Sequence, residues 1–253
     1  MIRAILRNAG VRPRAFLAAL RGWGRYVGER RRFRGMPGSS QMAWGREMPI
    51  LTEASEASGS LGAYFQQDAT VARWIYEDGP RRHLDVGSRI DGFVGHLAVF
   101  REVEVIDIRP QPGLARNIRF HQVDLMERLP EEWRACTDSL SCLHTIEHFG
   151  LGRYGDPLDP LGHEKGVAHL KEMVEAGGVL YLSVPIGPER VEFNAHRVFA
   201  PETLCGWFRG DGWKIEKSAV VDDRNVVTEG QGDEVLLGSR CELGVGIVAV
   251  RRQ

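Results

Sequence analysis

Between His83 and Val184, five short apolar runs alternate with helical or turn-rich stretches, and this alternation constrains the chain more than any other feature. The runs are His83–Gly87, Val103–Asp107, Ile118–Val123, Ser139–Leu143 and Val179–Val184. Phe93–Phe100 reads as a helix. So does Glu164–Ala176, with Val167, Leu170, Met173 and Val174 on one face and Gly177-Gly178 at its end. Strands separated by helices imply a parallel sheet covered on both faces. An earlier helix is predicted over 60–77, capped by Ser60, carrying Tyr64, Val71, Trp74 and Ile75, and stopped by Gly79-Pro80. Pro201 opens another, with Leu204, Trp207 and Phe208. The last two strands, Trp213–Val221 and Gly244–Val250, have no helical pattern between them and are expected to pair antiparallel. The 22 residues from Asp222 to Leu243 then form a surface insertion.

Composition narrows the class further. With 253 residues, 43% of them hydrophobic and 26% charged, the chain is neither fibrous nor wholly disordered. Cys136, Cys142, Cys205 and Cys241 form no CxxC pair, which argues against a disulfide framework and for a reducing cytoplasm. No apolar run approaches the roughly 20 residues of a membrane span. The charge is strongly uneven. Residues 1–35 hold ten arginines against Glu29 alone, a net +9, which leaves −10 on the rest of a chain whose total is −1. Ile2, Ile5, Leu6, Phe16, Leu17, Leu20, Trp23 and Tyr26 recur among those arginines at helical spacing. Residues 1–35 therefore read as a basic amphipathic leader suited to an anionic membrane surface. Nucleic acid is not the expected partner, because an acidic body repels phosphates. Residues 36–58, rich in Gly, Ser, Pro and Glu, read as a linker, and 59–253 as the main domain.

In an open α/β sheet, ligands bind outside the carboxyl ends of the strands. Here the first strand ends in Asp85-Val86-Gly87-Ser88-Arg89, a turn whose glycine lets backbone approach a ligand. The second ends in Asp107, 22 residues after Asp85, placed to accept both hydroxyls of an adenosine ribose. The third ends at Asp124, between Val123 and Leu125, where a carboxylate can accept from an adenine amino group. Gly87 and Gly92 do not fit the G-x-G-x-x-G pattern of nicotinamide enzymes.

Over roughly residues 60–252 the chain resembles the class I S-adenosylmethionine-dependent methyltransferases. Asp85-Val86-Gly87 resembles their first motif and Leu143-His144-Thr145-Ile146-Glu147-His148 their fourth-strand motif. Residues Asn194 to Leu204 resemble the His-Arg-x-Phe-x-Pro-Glu-x-Leu segment of many small-molecule members. Tyr64–Asp68, Gly87–Phe93, Gly150–Pro157 and Phe193–Arg197 together resemble an uncharacterised bacterial subfamily found beside polysaccharide-synthesis genes. The resemblance implies an α/β, Rossmann-like fold, with a mostly parallel seven-stranded sheet ending in an antiparallel hairpin. It also implies S-adenosylmethionine as cofactor, held by Asp85, Gly87, Ser88, Arg89, Asp107, Asp124 and His144. The expected reaction is O-methylation of a sugar or glycolipid at the cytoplasmic face of the inner membrane.

Arg89 departs from the family pattern, which has a glycine there. Its side chain either crowds the methionine end of the cofactor or pairs with its carboxylate. A non-catalytic cofactor-binding module in a polysaccharide-synthesis complex is thus a second reading, and different chemistry on a nucleotide-linked sugar a third. No Asn/Asp-Pro-Pro-Tyr clamp follows the fourth strand, which favours oxygen over nitrogen as acceptor. Deprotonating a hydroxyl needs a base, and His148 and His196 are the candidates. Arg153, Tyr154 and Arg197 are the candidate acceptor contacts. In the ubiquinone-pathway O-methyltransferases a similar strand-four motif resembles a divalent-metal site, so His144, Glu147 and His148 are an alternative magnesium set.

Overall fold

The computed structural model describes residues 13–52, 59–113, 115–210 and 212–253. Ile2, Ile5 and Leu6, with Arg3, Arg7 and Arg12, lie outside the described residues. The chain divides into two compact units, Met1–Ser60 and Leu61–Gln253.

The first unit is built on α1 (Pro13–Arg34). Residues expected to form an open linker run back along this helix. A Cβ on Gly22 would overlap the Leu51 carbonyl, so only glycine lets the two backbones approach so closely. Trp44 packs edge-on against Phe33 with ring centroids 6.0 Å apart, and Arg34 lies 4.3 Å above the Trp44 ring. Arg30 pairs with Glu47. Among the described residues no helix is long and apolar enough to cross a membrane.

The second unit is built on one large sheet with helices on both faces. It opens with α2 (Ala63–Asp78), which begins three residues later than predicted, with Gly62 rather than Ser60 at its cap. Strands β1 (His83–Val86), β2 (Val103–Asp107), β3 (Ile118–Gln122), β4 (Thr137–Leu143) and β5 (Val174–Ile186) are parallel. A wide helical turn, Ile90–Val94, leads into the short α3 (Gly95–Ala98), and α4 (Gly162–Met173) precedes β5. Helix α4 stops before the predicted Ala176 because Val174 already pairs with Thr137 of β4. A small antiparallel hairpin, β6 (Arg190–Glu192) and β7 (His196–Val198), follows, then α5 (Pro201–Gly206). Strand β8 (Trp213–Val221) and the last strand, β10 (Gly244–Arg252), pair antiparallel as expected.

The sheet has eight strands rather than seven, in the order β3-β2-β1-β4-β5-β10-β8-β9. The extra strand is β9 (Val227–Gln231), which lies inside the segment read as a surface insertion and pairs antiparallel with β8. Helix α6 (Glu234–Leu237) follows it and buries Leu236 in the core. The β9 edge is tied down by Glu229, which accepts hydrogen bonds from Arg73 at 2.6 Å and from the Trp74 indole at 3.0 Å. Two apolar layers sandwich the sheet. Val71, Trp74 and Ile75 of α2 pack with Phe93, Leu97 and Val105 on one face, and Leu170 and Met173 of α4 with Leu84, Leu140 and Leu182 on the other.

Candidate functional site

The carboxyl ends of β1, β2 and β4 converge on two clefts that share a wall. The first encloses about 570 Å³ including its mouth and has Asp107 and Asp124 among its lining residues, with Ile106, Ile108, Leu125 and Met126 around them. The second, about 740 Å³, is lined by Tyr64, Gln67, Asp68, Ser88, Arg89 and Arg153, among others. Gly87, Arg109, His144, His148 and Tyr154 line both.

The turn after β1 is organised from below. Asp85 is fully buried, and its carboxylate accepts hydrogen bonds from the Ser88 N–H (3.0 Å), the Ser88 hydroxyl (2.7 Å) and the Ser141 hydroxyl (2.6 Å). Burial pushes its pKa up to about 6. Asp85 is therefore a positioning residue and faces neither cleft, which corrects its assignment as a ligand contact. The Ser88 hydroxyl also accepts from the Leu143 N–H at 3.2 Å, fixing β1 to the end of β4. Gly87 has φ 70°, and a Cβ there would overlap the Thr145 side chain. Glycine is thus required both for the left-handed turn and for close packing of the two strand ends. Arg89 reaches Asp91, with contacts of 3.2 and 3.0 Å, from a largely exposed position on the rim.

At the end of β2, Asp107 is already engaged. Its carboxylate accepts from the Arg109 N–H at 2.8 Å and from the guanidinium at 3.0 and 2.6 Å. Arg109 also lies 4.5 Å from the centre of the Tyr154 ring. Asp124 accepts from the Met126 N–H at 2.8 Å, which leaves carboxylate capacity toward the first cleft.

The strand-four motif supplies the imidazoles. His144 has φ 50°, held by its N–H donating to the Ser183 carbonyl at 3.1 Å. Its Nδ1 donates to Glu147 Oε1 at 2.8 Å. Glu147 is buried, and its Oε2 has no hydrogen-bond partner. His148 Nδ1 is 2.7 Å from the Ala195 carbonyl, an acceptor that places the proton on Nδ1 and leaves Nε2 with its lone pair. Burial lowers the His148 pKa below the ordinary imidazole value, with the Glu147 charge opposing that shift. The magnesium alternative is not supported: among the described residues no three His, Cys, Asp or Glu side chains converge to hold a metal ion.

The loop from Gly150 to Gly162 is fixed from two sides. The Asp156 carboxylate accepts from the N–H groups of Gly150 (2.9 Å), Gly152 (3.1 Å) and Tyr154 (3.1 Å), presenting the Tyr154 ring edge-on to His148 at 5.5 Å. From inside, Arg197 donates to the Phe149 carbonyl at 2.6 Å and to that of Pro160 at 3.2 Å. Arg197 is only 5% exposed, so it pins the loop rather than meeting an acceptor, a correction to its sequence assignment. His196 is corrected as well. It stands opposite Glu192 across the β6–β7 hairpin, its Nε2 3.5 Å from that carboxylate, and is absent from the lining of both clefts. Arg153 does line the second cleft, donating to the Ala195 carbonyl at 2.9 Å and lying 5.1 Å from the Tyr154 ring.

Three cleft residues on α2 were not among the site candidates expected from the sequence. Tyr64, Gln67 and Asp68 share one helical face by their i, i+3, i+4 spacing. Tyr64 packs on His144 with ring centroids 4.8 Å apart. Gln67 donates to Asp68 at 3.0 Å and accepts from the Ser183 hydroxyl at 2.6 Å, and burial raises the Asp68 pKa. The available signal was two polar residues on the side of a helix that also carries Val71, Trp74 and Ile75.

This strand order, with clefts at the carboxyl ends and an antiparallel pair at the C-terminus, is the fold of the class I methyltransferases. The family described as Caenorhabditis protein of unknown function, DUF268, matches residues 116–225. No curated protein sequence matches the chain. Among solved structures, the [4+2]-cyclase SpnF is similar at 15% identity, with a TM-score of 0.53 over 77% of this chain and 85% of that one. The 1,6-didemethyltoxoflavin-N1-methyltransferase of Burkholderia thailandensis, solved with bound 1,6-didemethyltoxoflavin and S-adenosylhomocysteine, is 15% identical with a TM-score of 0.50, covering 96% of this chain and 91% of that one. The N-methyltransferase NodS of Bradyrhizobium japonicum WM9, in complex with S-adenosylhomocysteine, is 12% identical with a TM-score of 0.50, covering 90% and 97%.

Proposed function

We propose that the chain is an S-adenosylmethionine-dependent methyltransferase that transfers a methyl group to a hydroxyl of a sugar or glycolipid intermediate in cell-surface polysaccharide synthesis, at the cytoplasmic face of the membrane. The observation that carries this reading is the position of His148, which lines both clefts with Nδ1 committed to the Ala195 carbonyl. Its Nε2, 3.7 Å from Glu147 Oε1, keeps a lone pair that can take a proton from an acceptor in the second cleft.

The first cleft fits an adenosyl group chemically. Asp107 and Asp124 line a chamber that also carries Ile106, Ile108, Leu125 and Met126, where one would accept the ribose hydroxyls and the other the adenine amino group. Asp107 exchanges Arg109 for those hydroxyls when the ligand enters. When bound, S-adenosylmethionine supplies the electrophilic methyl group. Asp85 and Ser88 hold the turn, Tyr154 and Arg153 contact the acceptor, and His148 Nε2 holds the proton that the hydroxyl loses. Nitrogen acceptors in two structurally similar enzymes do not transfer to this chain at such low identity.

SpnF is a cyclase on a similar fold, which keeps alive the reading that this fold serves different chemistry here, as does a non-catalytic binding role with Arg89 at the rim. Calorimetry with S-adenosylhomocysteine tests the cofactor, and methyl transfer to cell-envelope extract tests the reaction. Binding without turnover on any extract would favour the alternatives.

A further inference from the structure

We propose that the side of α1 carrying Phe16, Leu20, Trp23 and Val27 is a docking surface for an anionic lipid bilayer. This gives the membrane-face placement above a surface and a chemistry, yet it does not depend on the methyl-transfer reading. The four residues recur at spacings of four, three and four, so at 3.6 residues per turn they form one stripe along the helix. All four stay exposed, from 65% for Phe16 to 48% for Val27. The helix does its own packing elsewhere: Ala19, Gly22, Tyr26 and Arg30 are buried or half-buried, and the Leu51 backbone and Glu47 meet that side. The stripe is therefore apolar surface that the first unit leaves uncovered.

Charge selects the occupant. Residues 13–52 hold eight arginines against Glu29 and Glu47, a net +6. Arg21, Arg25 and Arg32 lie on the polar side away from the stripe, while Arg31 and Arg34 prolong the stripe beyond Val27, Arg34 over the Trp44 ring. A helix with Phe and Trp along one side and arginines on the other lies in the interface of an anionic bilayer, its apolar side sunk to the acyl boundary and its guanidinium groups among the phosphates. Nucleic acid would satisfy the arginines and leave the apolar stripe in water, so lipid fits both features and nucleic acid only one.

The test is co-sedimentation of the full-length chain with phosphatidylcholine vesicles, with and without phosphatidylglycerol, at low ionic strength. The chain is expected to bind only the anionic vesicles and to dissociate as salt shortens the Debye length. The paired change Leu20→Glu, Trp23→Glu should reduce partitioning at least about tenfold. The milder pair Phe16→Ser, Val27→Ser should act in the same direction. Val99→Glu, at an 83% exposed position in the other unit, should leave partitioning unchanged. Affinity for S-adenosylhomocysteine should be the same in every variant, so failure here and failure of the enzymatic reading are separate results. Three results overturn the proposal: no binding to anionic vesicles, binding that survives both stripe variants, or displacement from vesicles by duplex DNA that those variants do not affect.

Discussion

Replacing Asp107 by alanine probes the first cleft most cleanly. The ribose hydroxyls would donate to a carboxylate, and such charge-assisted bonds contribute about 1.5–3 kcal/mol. Asp107→Ala should therefore weaken S-adenosylhomocysteine binding by about 10- to 150-fold. Folding should barely respond. The pair that the substitution breaks joins a 49% exposed Arg109 to Asp107 at 2.6 Å, and partly exposed ion pairs contribute about 0–1 kcal/mol. Arg109→Ala gives the opposite sign. It removes the group that competes with the ribose for Asp107, so affinity should rise or stay level. Calorimetry on both variants, with thermal melts of the unliganded proteins, reads the two effects. Unchanged affinity in folded Asp107→Ala, or parallel losses in both variants, would refute the assignment.

Three further predictions address the base, the turn and the core. His148→Ala should keep S-adenosylhomocysteine affinity and lose about 10²- to 10⁴-fold in methyl transfer, while His196→Ala, at a position absent from the lining of both clefts, should stay near wild type. Because burial lowers the His148 pKa, the acid limb of the kcat profile should fall below the ordinary imidazole value of 6.5. Gly87→Ala should destabilise the fold by about 1–3 kcal/mol in chemical denaturation, since it adds backbone strain to overlap with Thr145. His83 is buried between the Ser139 and Ser141 hydroxyls, and burial lowers its pKa to about 3. The unfolded chain thus takes up this proton first, so its contribution is complete above pH 6.5 and lost as pH falls toward 3. His83→Gln should flatten that window by an amount on the order of 4 kcal/mol in denaturant titrations.

The residues whose place in the cleft was legible in the sequence are those whose position follows from an apolar run. Asp107 and Asp124 stand where strands of a parallel sheet must end, and their side chains face the cleft that such ends create. His148 was legible through its motif, although the Ala195 carbonyl that sets its tautomer lies 47 residues away. Arg197 was misread because an arginine pattern does not reveal burial, and here backbone carbonyls take the place of an anionic ligand. Strand β9 was hidden because Val-Thr-Glu-Gly-Gln has no apolar run, and an edge strand is defined by its ladder with β8 and by Glu229. The early end of α4 escaped for a related reason, since pairing of Val174 with Thr137 overrides a continuing helical pattern.

Methyl transfer itself is the most direct test of the account. The full-length chain, incubated with methyl-labelled S-adenosylmethionine and cell-envelope extract, should place label in a carbohydrate-containing fraction. That label should survive alkali, because a methyl ether resists hydrolysis and a carboxyl methyl ester does not, and it should vanish with His148→Ala. Alkali-labile label, label on protein or nucleic acid, or equal labelling by the His148 variant would contradict the account.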